Sequence, residues 1–215
     1  MQITIDYTGL GQAITLFANR TEKGGNLGSD RPNDPDGIEI IIGDPSFVNV
    51  VDLSGTDLAS LIDLRAEKFN IFDFSGGITI KNFVNVIGSN QNDTIIGNQF
   101  DNILIGGGGD DLINGFGGRD TLFGGAGQDT FVLGENGNVL YRNSGFEDVA
   151  IIEDFVSGVD KIQLTGNRSD YSFFNQGSTN FIALDNGNGQ FDFGVDEVIA
   201  SLNSSFNVAN DLIFV

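Results

Sequence analysis

The sequence predicts an all-β chain wound as a parallel β-solenoid, and three observations predict it. From Gly88 to Val132 a nine-residue unit recurs five times without losing phase. Each unit opens on glycine, at positions 88, 97, 106, 115 and 124, and its first half is rich in Gly, Asn and Asp. Its second half is short and apolar, with Ile95, Leu104, Ile113, Leu122 and Phe131 all at the eighth position.

The spacing has a direct geometric meaning. Glycine adopts backbone angles closed to other residues and so permits a tight turn with exposed carbonyls. Three residues such as Thr94-Ile95-Ile96 then form a short strand whose middle side chain points opposite to its neighbours. Two units make one coil, with a strand on each side and a turn at each edge. Ile95, Ile113 and Phe131 are thereby predicted to stack from one sheet against Leu104 and Leu122 from the other. Turns two units apart share an edge, which places Asp93, Asp111 and Asp129 in one column and Asn102 and Asp120 in the opposite one.

Such a column needs a counter-charge. Two carboxylates about 4 Å apart repel by roughly 4 kcal/mol at an effective dielectric near 20. Calcium removes that repulsion, because it accepts six to eight oxygens from carboxylates and backbone carbonyls in flexible geometry. The unit matches a known signature of calcium-binding parallel β-helices, Gly-Gly-x-Gly-x-Asp-x-U-x. The candidate calcium ligands are the first, third, fifth and sixth residues of each unit. They are Gly88, Asn90, Asn92 and Asp93, then Gly97, Gln99, Asp101 and Asn102, then Gly106, Gly108, Asp110 and Asp111. Gly115, Gly117, Arg119 and Asp120 follow, and Gly124, Ala126, Gln128 and Asp129 complete the set. Several ions are expected: between Asp93 and Asp111, between Asp111 and Asp129, and more weakly between Asn102 and Asp120, where one charge is missing.

Upstream, residues 1–87 read as β structure with degenerate, calcium-free rungs. Ile41-Ile42-Gly43 and Asn49-Val50-Val51 echo Ile95-Ile96-Gly97 and Asn102-Ile103-Leu104. Leu58 to Glu67 fits a strand or one helical turn equally well. Gly24 to Asp36, with Pro32 and Pro35, reads as a solvated loop in preference to an ion site built on Asp30, Asp34 and Asp36. Downstream, residues 133–215 read as a mostly antiparallel β cap closing the open end of the coil. Its segment Asp185 to Glu197 looks like an EF-hand loop with the wrong spacing and is read as a solvated turn. The outward residues Ile103, Ile105, Thr121 and Phe123 form an apolar face. The phenylalanines around Phe155, Phe173 and Phe174 are expected to cover it and bury Phe123.

The repeats, the preceding Leu61-Ile62-Asp63-Leu64-Arg65-Ala66-Glu67 and the following Ile152-Glu153-Asp154-Phe155 to Asp160-Lys161-Ile162 resemble the RTX (repeats-in-toxin) region. That region stands at the carboxyl end of serralysin-type secreted proteins. The resemblance covers residues 48–165 and implies a right-handed parallel β-roll that folds when it meets calcium outside the cell. The terminal Asp211-Leu212-Ile213-Phe214-Val215 resembles the family's uncleaved type I secretion signal. The resemblance therefore implies a secreted, extracellular protein with the type I secretion machinery as a partner.

Composition narrows the function. The 215 residues hold 30 acidic and 10 basic side chains, for a net charge of −20. No segment is basic, which excludes nucleic acid as a partner, and no apolar run approaches the ~20 residues of a membrane helix. Met1 to Leu10 has neither a basic start nor an apolar run, so no cleavable signal peptide is read there. There is no cysteine and no histidine. The serralysin zinc site, His-Glu-x-x-His, is therefore missing, and Ser-His-Asp and Cys-His chemistry go with it. The sequence reads as a non-enzymatic calcium-binding module with a structural or surface-interaction role. Two alternatives remain: a carbohydrate-binding module of a polysaccharide-modifying enzyme, with cell-surface polysaccharide as partner, and the tail of a longer toxin or enzyme. Basic and aromatic residues lining a groove would favour the former, and Arg119, Arg142 and Tyr141 are too few to show one.

Overall fold

Alternating burial along very short strands decides the architecture. The computed structural model describes residues 3–17, 38–71, 78–142, 147–185, 187–188, 190–192 and 196–215. It is a β-roll of two facing sheets, with no α-helix among the described residues. The first sheet carries Thr94–Ile96, Leu112–Asn114 and Thr130–Val132, side by side and parallel. The second carries Phe83–Ile87, Ile103–Gly108 and Arg119–Ala126, also parallel.

Register aligns the eighth-position side chains into two apolar columns. In the first sheet Ile62, Ile95, Ile113, Phe131 and Ile162 follow one another as direct partners. In the second, Leu16, Val51, Val86, Leu104, Leu122, Ile152 and Leu202 do the same. Every member of both columns is buried. Each such side chain contributes ~1.5–3 kcal/mol of hydrophobic stabilisation, so the thin core is cumulative along the roll.

Both sheets run past the calcium-type repeats in both directions. Upstream, Ile38–Ile42 belongs to the first sheet and Asn49–Asp52 to the second, the sides taken by Thr94–Ile96 and Ile103–Gly108. Ser60–Asp63 is a strand, antiparallel to Lys68–Ile71 and parallel to Thr94–Ile96. The segment Gly24 to Asp36 lies outside the described residues.

Downstream, the cap departs from expectation. Val149–Ile152 and Glu197–Leu202 extend the second sheet in parallel, and Lys161–Leu164 and Leu212–Phe214 extend the first. Among the described residues of this region, antiparallel pairing joins Tyr171–Gln176, Thr179–Leu184 and Glu197–Leu202, and the small hairpin Gly134–Glu135 with Asn138–Val139. The roll is thus continued before it is closed. Because these strands add at the sheet edges, they do not fold over the outer face. Phe123 and Ile105 stay half-exposed and Ile103 is 46% exposed, contrary to the expected cover. Phe155 turns inward onto Phe131 at 6.2 Å, Phe173 packs on Phe206, and Phe174 stacks between Phe181 and Phe191.

Candidate metal centre

The turns of the roll lie along two edges. The first edge carries the turns that end at Asp93, Asp111 and Asp129, and the second those that end at Asn102 and Asp120. All five side chains are buried. They are held there by a ladder in which each carboxylate reaches to the rung before it. Asp111 Oδ1 accepts from the Asp93 N–H at 2.7 Å, Asp129 Oδ1 from the Asp111 N–H at 3.0 Å, and Asp160 Oδ1 from the Asp129 N–H at 3.1 Å. Asp120 Oδ1 accepts from the Asn102 N–H at 2.8 Å.

The second carboxylate oxygens distinguish the sites. Asp111 is 2% exposed and Asp129 1%, and the Oδ2 of each is buried with no hydrogen-bond partner. An anionic oxygen sealed from water without a donor is costly unless a cation meets it. The glycines show where that cation fits. A Cβ on Gly106 would fall against both Asp111 Oδ2 and the Gly124 carbonyl oxygen, so these oxygens border one small space. A Cβ on Gly124 would meet Asp129 Oδ2, with the Asp129 side chain alone supplying its nearest atoms. This donor set of a carboxylate and backbone carbonyls fits calcium. Among the described residues no three acidic side chains converge, so carbonyls must supply much of any coordination.

Electrostatics agree with the geometry. Burial pushes Asp111 up to about 7, with the charges of Asp129, Asp93 and Asp110 adding to it. Burial likewise raises Asp129 to about 6 and Asp120 to about 8. An ion-free roll thus holds its aspartates against their ionisation.

The other expected ligands fall into two groups. The side chains of Asn90, Asn92, Asp110, Ala126 and Gln128 on the first edge, and of Gln99, Asp101 and Arg119 on the second, are exposed. The fifth-position residues build an outer ladder: Asn92 Oδ1 accepts from the Asp110 N–H, Asp110 Oδ1 from the Gln128 N–H and Asp101 Oδ1 from the Arg119 N–H. Gly88, Gly97, Gly106, Gly115 and Gly124 line the inner side of the turns, with Gly108 and Gly117 half-exposed beside them. In the Asp185 to Glu197 segment, parts of which lie outside the described residues, Asp185 Oδ1 accepts from the Gly187 and Asn188 N–H groups.

Four contributors were not anticipated. Ser89 donates from its N–H and hydroxyl to Asp93 Oδ2, which completes the bonding of a carboxylate whose Oδ1 already accepts from Ser60. The signal was present, since Ser89 stands where later units have Gly107 and Gly125. Asp160 continues the first edge and Asp154 accepts from the Gly124 and Gly125 N–H groups, but an insertion breaks the nine-residue spacing before them. Tyr141, whose hydroxyl donates to Asp120 Oδ2 at 2.7 Å, lies outside the repeats altogether.

Comparison with known proteins identifies the repeats. Residues 87–115, 96–131 and 117–140 match the RTX calcium-binding nonapeptide repeat. The class of the central segment is therefore plain: RTX calcium-binding repeats wound as a β-roll. A solved structure, the AlgE6R3 subunit of the Azotobacter vinelandii mannuronan C5-epimerase, is similar at 22% identity with a TM-score of 0.43. That match covers 60% of this chain and 76% of the subunit. No curated protein sequence matches the chain.

Proposed function

We propose that this protein is an extracellular calcium-responsive β-roll module, exported by a type I pathway, in which calcium is a folding cofactor. The observation that carries the reading is the pair of buried, unpartnered carboxylate oxygens on Asp111 and Asp129, each facing a glycine-lined space. Asp111 and Asp129, with the carbonyl of Gly124, are the central ligands. The remaining first-, third- and fifth-position residues of their turns contribute through backbone oxygens. Extracellular calcium modules bind at ~0.1–1 mM, which leaves such sites empty in a low-calcium cytosol and filled outside. Binding energy then becomes folding energy. Residues 88–132 serve as the calcium-sensing segment, 1–87 as its calcium-free amino-terminal rungs, and 133–215 as the cap.

Leu212–Phe214 is the last strand of the first sheet, Asp211 is buried, and the Val215 carbonyl accepts from Gly166 N–H and Thr165 Oγ1. In the folded chain a secretion signal placed there is part of the sheet, with Ile213 and Val215 still exposed. The test is a calcium titration followed by circular dichroism. A β spectrum that appears between about 0.1 and 1 mM calcium supports the reading; an unchanged spectrum in chelator overturns it.

A second reading, a polysaccharide-binding module, has one supporting observation. Arg65, Phe116 and Arg142 line one cavity of about 670 Å³, with Gln99 and Asn138 beside them and Arg65 stacked on the Phe116 ring at 4.7 Å. This gathers the basic and aromatic groups that saccharide recognition requires. Retention on a glycan array that is lost in Arg65→Ala would favour it.

A further inference from the structure

The long connection from Thr130–Val132 to Val149–Ile152 stands where the next turn of the second edge would fall. Instead of another nonapeptide it contains a small hairpin, Gly134–Glu135 with Asn138–Val139, and then sends Tyr141 back into the roll. Tyr141 is buried and holds a left-handed backbone with φ +62°, which an aromatic residue adopts only where its surroundings fix it. Its hydroxyl donates to Asp120 Oδ2 at 2.7 Å.

The place this hydroxyl occupies is informative. A Cβ on Gly97 would meet the Gly115 carbonyl, and one on Gly106 the Gly124 carbonyl; a Cβ on Gly115 would meet the Tyr141 hydroxyl. The phenol thus sits where the next rung's carbonyl belongs. A carbonyl oxygen and a carboxylate share such a space around a cation, or where another group donates to the carboxylate as Ser89 does to Asp93 beside Gly88. A hydroxyl can face the carboxylate directly, since it brings its own proton. The rest of this edge is equally self-sufficient. Asn102 Nδ2 donates to the Val84 carbonyl at 2.6 Å, and Asn102 Oδ1 accepts from the Asn98 N–H at 2.8 Å.

Building on the calcium reading above, we infer that Tyr141 is an internal substitute for a cation at Asp120, so that the roll takes up calcium along its first edge only. The test counts bound ions by native mass spectrometry of the full chain in saturating calcium. Asp120→Asn, which places there the residue already used at position 102, retains the wild-type number of ions, whereas Asp111→Asn binds fewer. Tyr141→Phe, which leaves Asp120 Oδ2 without a donor as Asp111 Oδ2 is, binds one ion more than wild type. Fewer ions in Asp120→Asn, or a folded Tyr141→Phe with no additional ion, would overturn the inference. If Tyr141→Phe does not fold, Asp120→Asn against Asp111→Asn decides it alone. A wild-type chain that binds no calcium instead refutes the functional reading on which the inference rests.

Discussion

The two edges of the roll are built from the same nonapeptide, yet they solve the problem of a buried aspartate differently. On the first edge, Asp111 and Asp129 each spend one oxygen on the neighbouring rung and leave the other without a donor. On the second, Asp120 spends its oxygens on Asn102 and Tyr141, and Asn102 carries its own donor. The upstream turn at Asn49 resembles the second edge. Its amide donates to the carbonyls of Asp44, Phe47 and Asn82, and a Cβ on Gly43 would strike it. A neutral amide brings both donor and acceptor and closes a turn by itself; a carboxylate brings only acceptors. On the proposed calcium reading, the turns at Asp111 and Asp129 differ from the asparagine turns by one atom, the Asp Oδ2 in place of an Asn Nδ2, and from the turns at Asp93 and Asp120 by the lack of an internal donor to that oxygen.

The largest expected effect comes from removing calcium. In chelator, backbone amide exchange should become fast at the first-edge turns 106–111 and 124–129, because uncompensated carboxylates and glycine-rich turns, costing ~1–2 kcal/mol per ordered residue, have nothing to offset them. Turns 43–49 and 97–102 should retain more protection. Equal loss on both edges, measured by hydrogen exchange, would break the comparison.

Substitutions sharpen it. Asp111→Ala should raise the calcium midpoint by at least about tenfold, equivalent to ~1.4 kcal/mol, and Asp129→Ala comparably. Asp93→Ala should shift it less, because Ser89 and Ser60 already satisfy that carboxylate. Asn102→Ala should leave the midpoint nearly unchanged while lowering thermal stability by ~1–3 kcal/mol, since it removes the buried Asn102 amide and deprives the part-buried Val84 carbonyl of its donor. A calcium titration and a melt on each variant separate the two effects.

Acidity offers a third comparison. In the ion-free fold burial raises Asp111 to about 7 and Asp129 to about 6, against an ordinary value of 3.8. The folded chain therefore holds protons that the unfolded chain has released. The resulting stabilisation is complete below about pH 4 and is lost as pH rises through 6 and 7. The ion-free roll should be most stable in mild acid. Protons compete with calcium, so the calcium midpoint should fall as pH is raised from 6 to 8. A midpoint independent of pH across that range would place the ion away from these carboxylates.

The sequence made the repeating core more legible than its edges. An apolar residue every ninth position is enough to place Ile95, Leu104, Ile113, Leu122 and Phe131 in facing columns, because solenoid register leaves them no other face. The same phase brings Asp111 and Asp129 to one edge. What it could not show is how each oxygen is satisfied, since that depends on residues distant in sequence: Ser60 reaches Asp93 across 33 positions and Tyr141 reaches Asp120 across 21. The parallel continuation through Val149–Ile152 and Lys161–Leu164 was also hidden. The insertions before these strands break the period, although the pairing they make is the same.

The smallest expected effect concerns the carboxylate beside the buried one. Asp110 is exposed, and its Oδ1 accepts from the Gln128 N–H at 2.9 Å as part of the outer ladder. Asparagine preserves that acceptor and removes only the charge. Asp110→Asn should therefore stay within about 0.5 kcal/mol of wild type in stability, as surface substitutions do when no buried partner is lost. Its calcium midpoint should rise only modestly, by less than about threefold, since charge near a solvated surface is weakly felt. Asp111→Asn makes the same chemical change one residue later, yet removes the buried oxygen that faces the Gly106 space. If a paired titration finds the two variants equally impaired, the outward carboxylate takes the ion directly, and the orphaned Asp111 oxygen is not what makes the first edge depend on calcium.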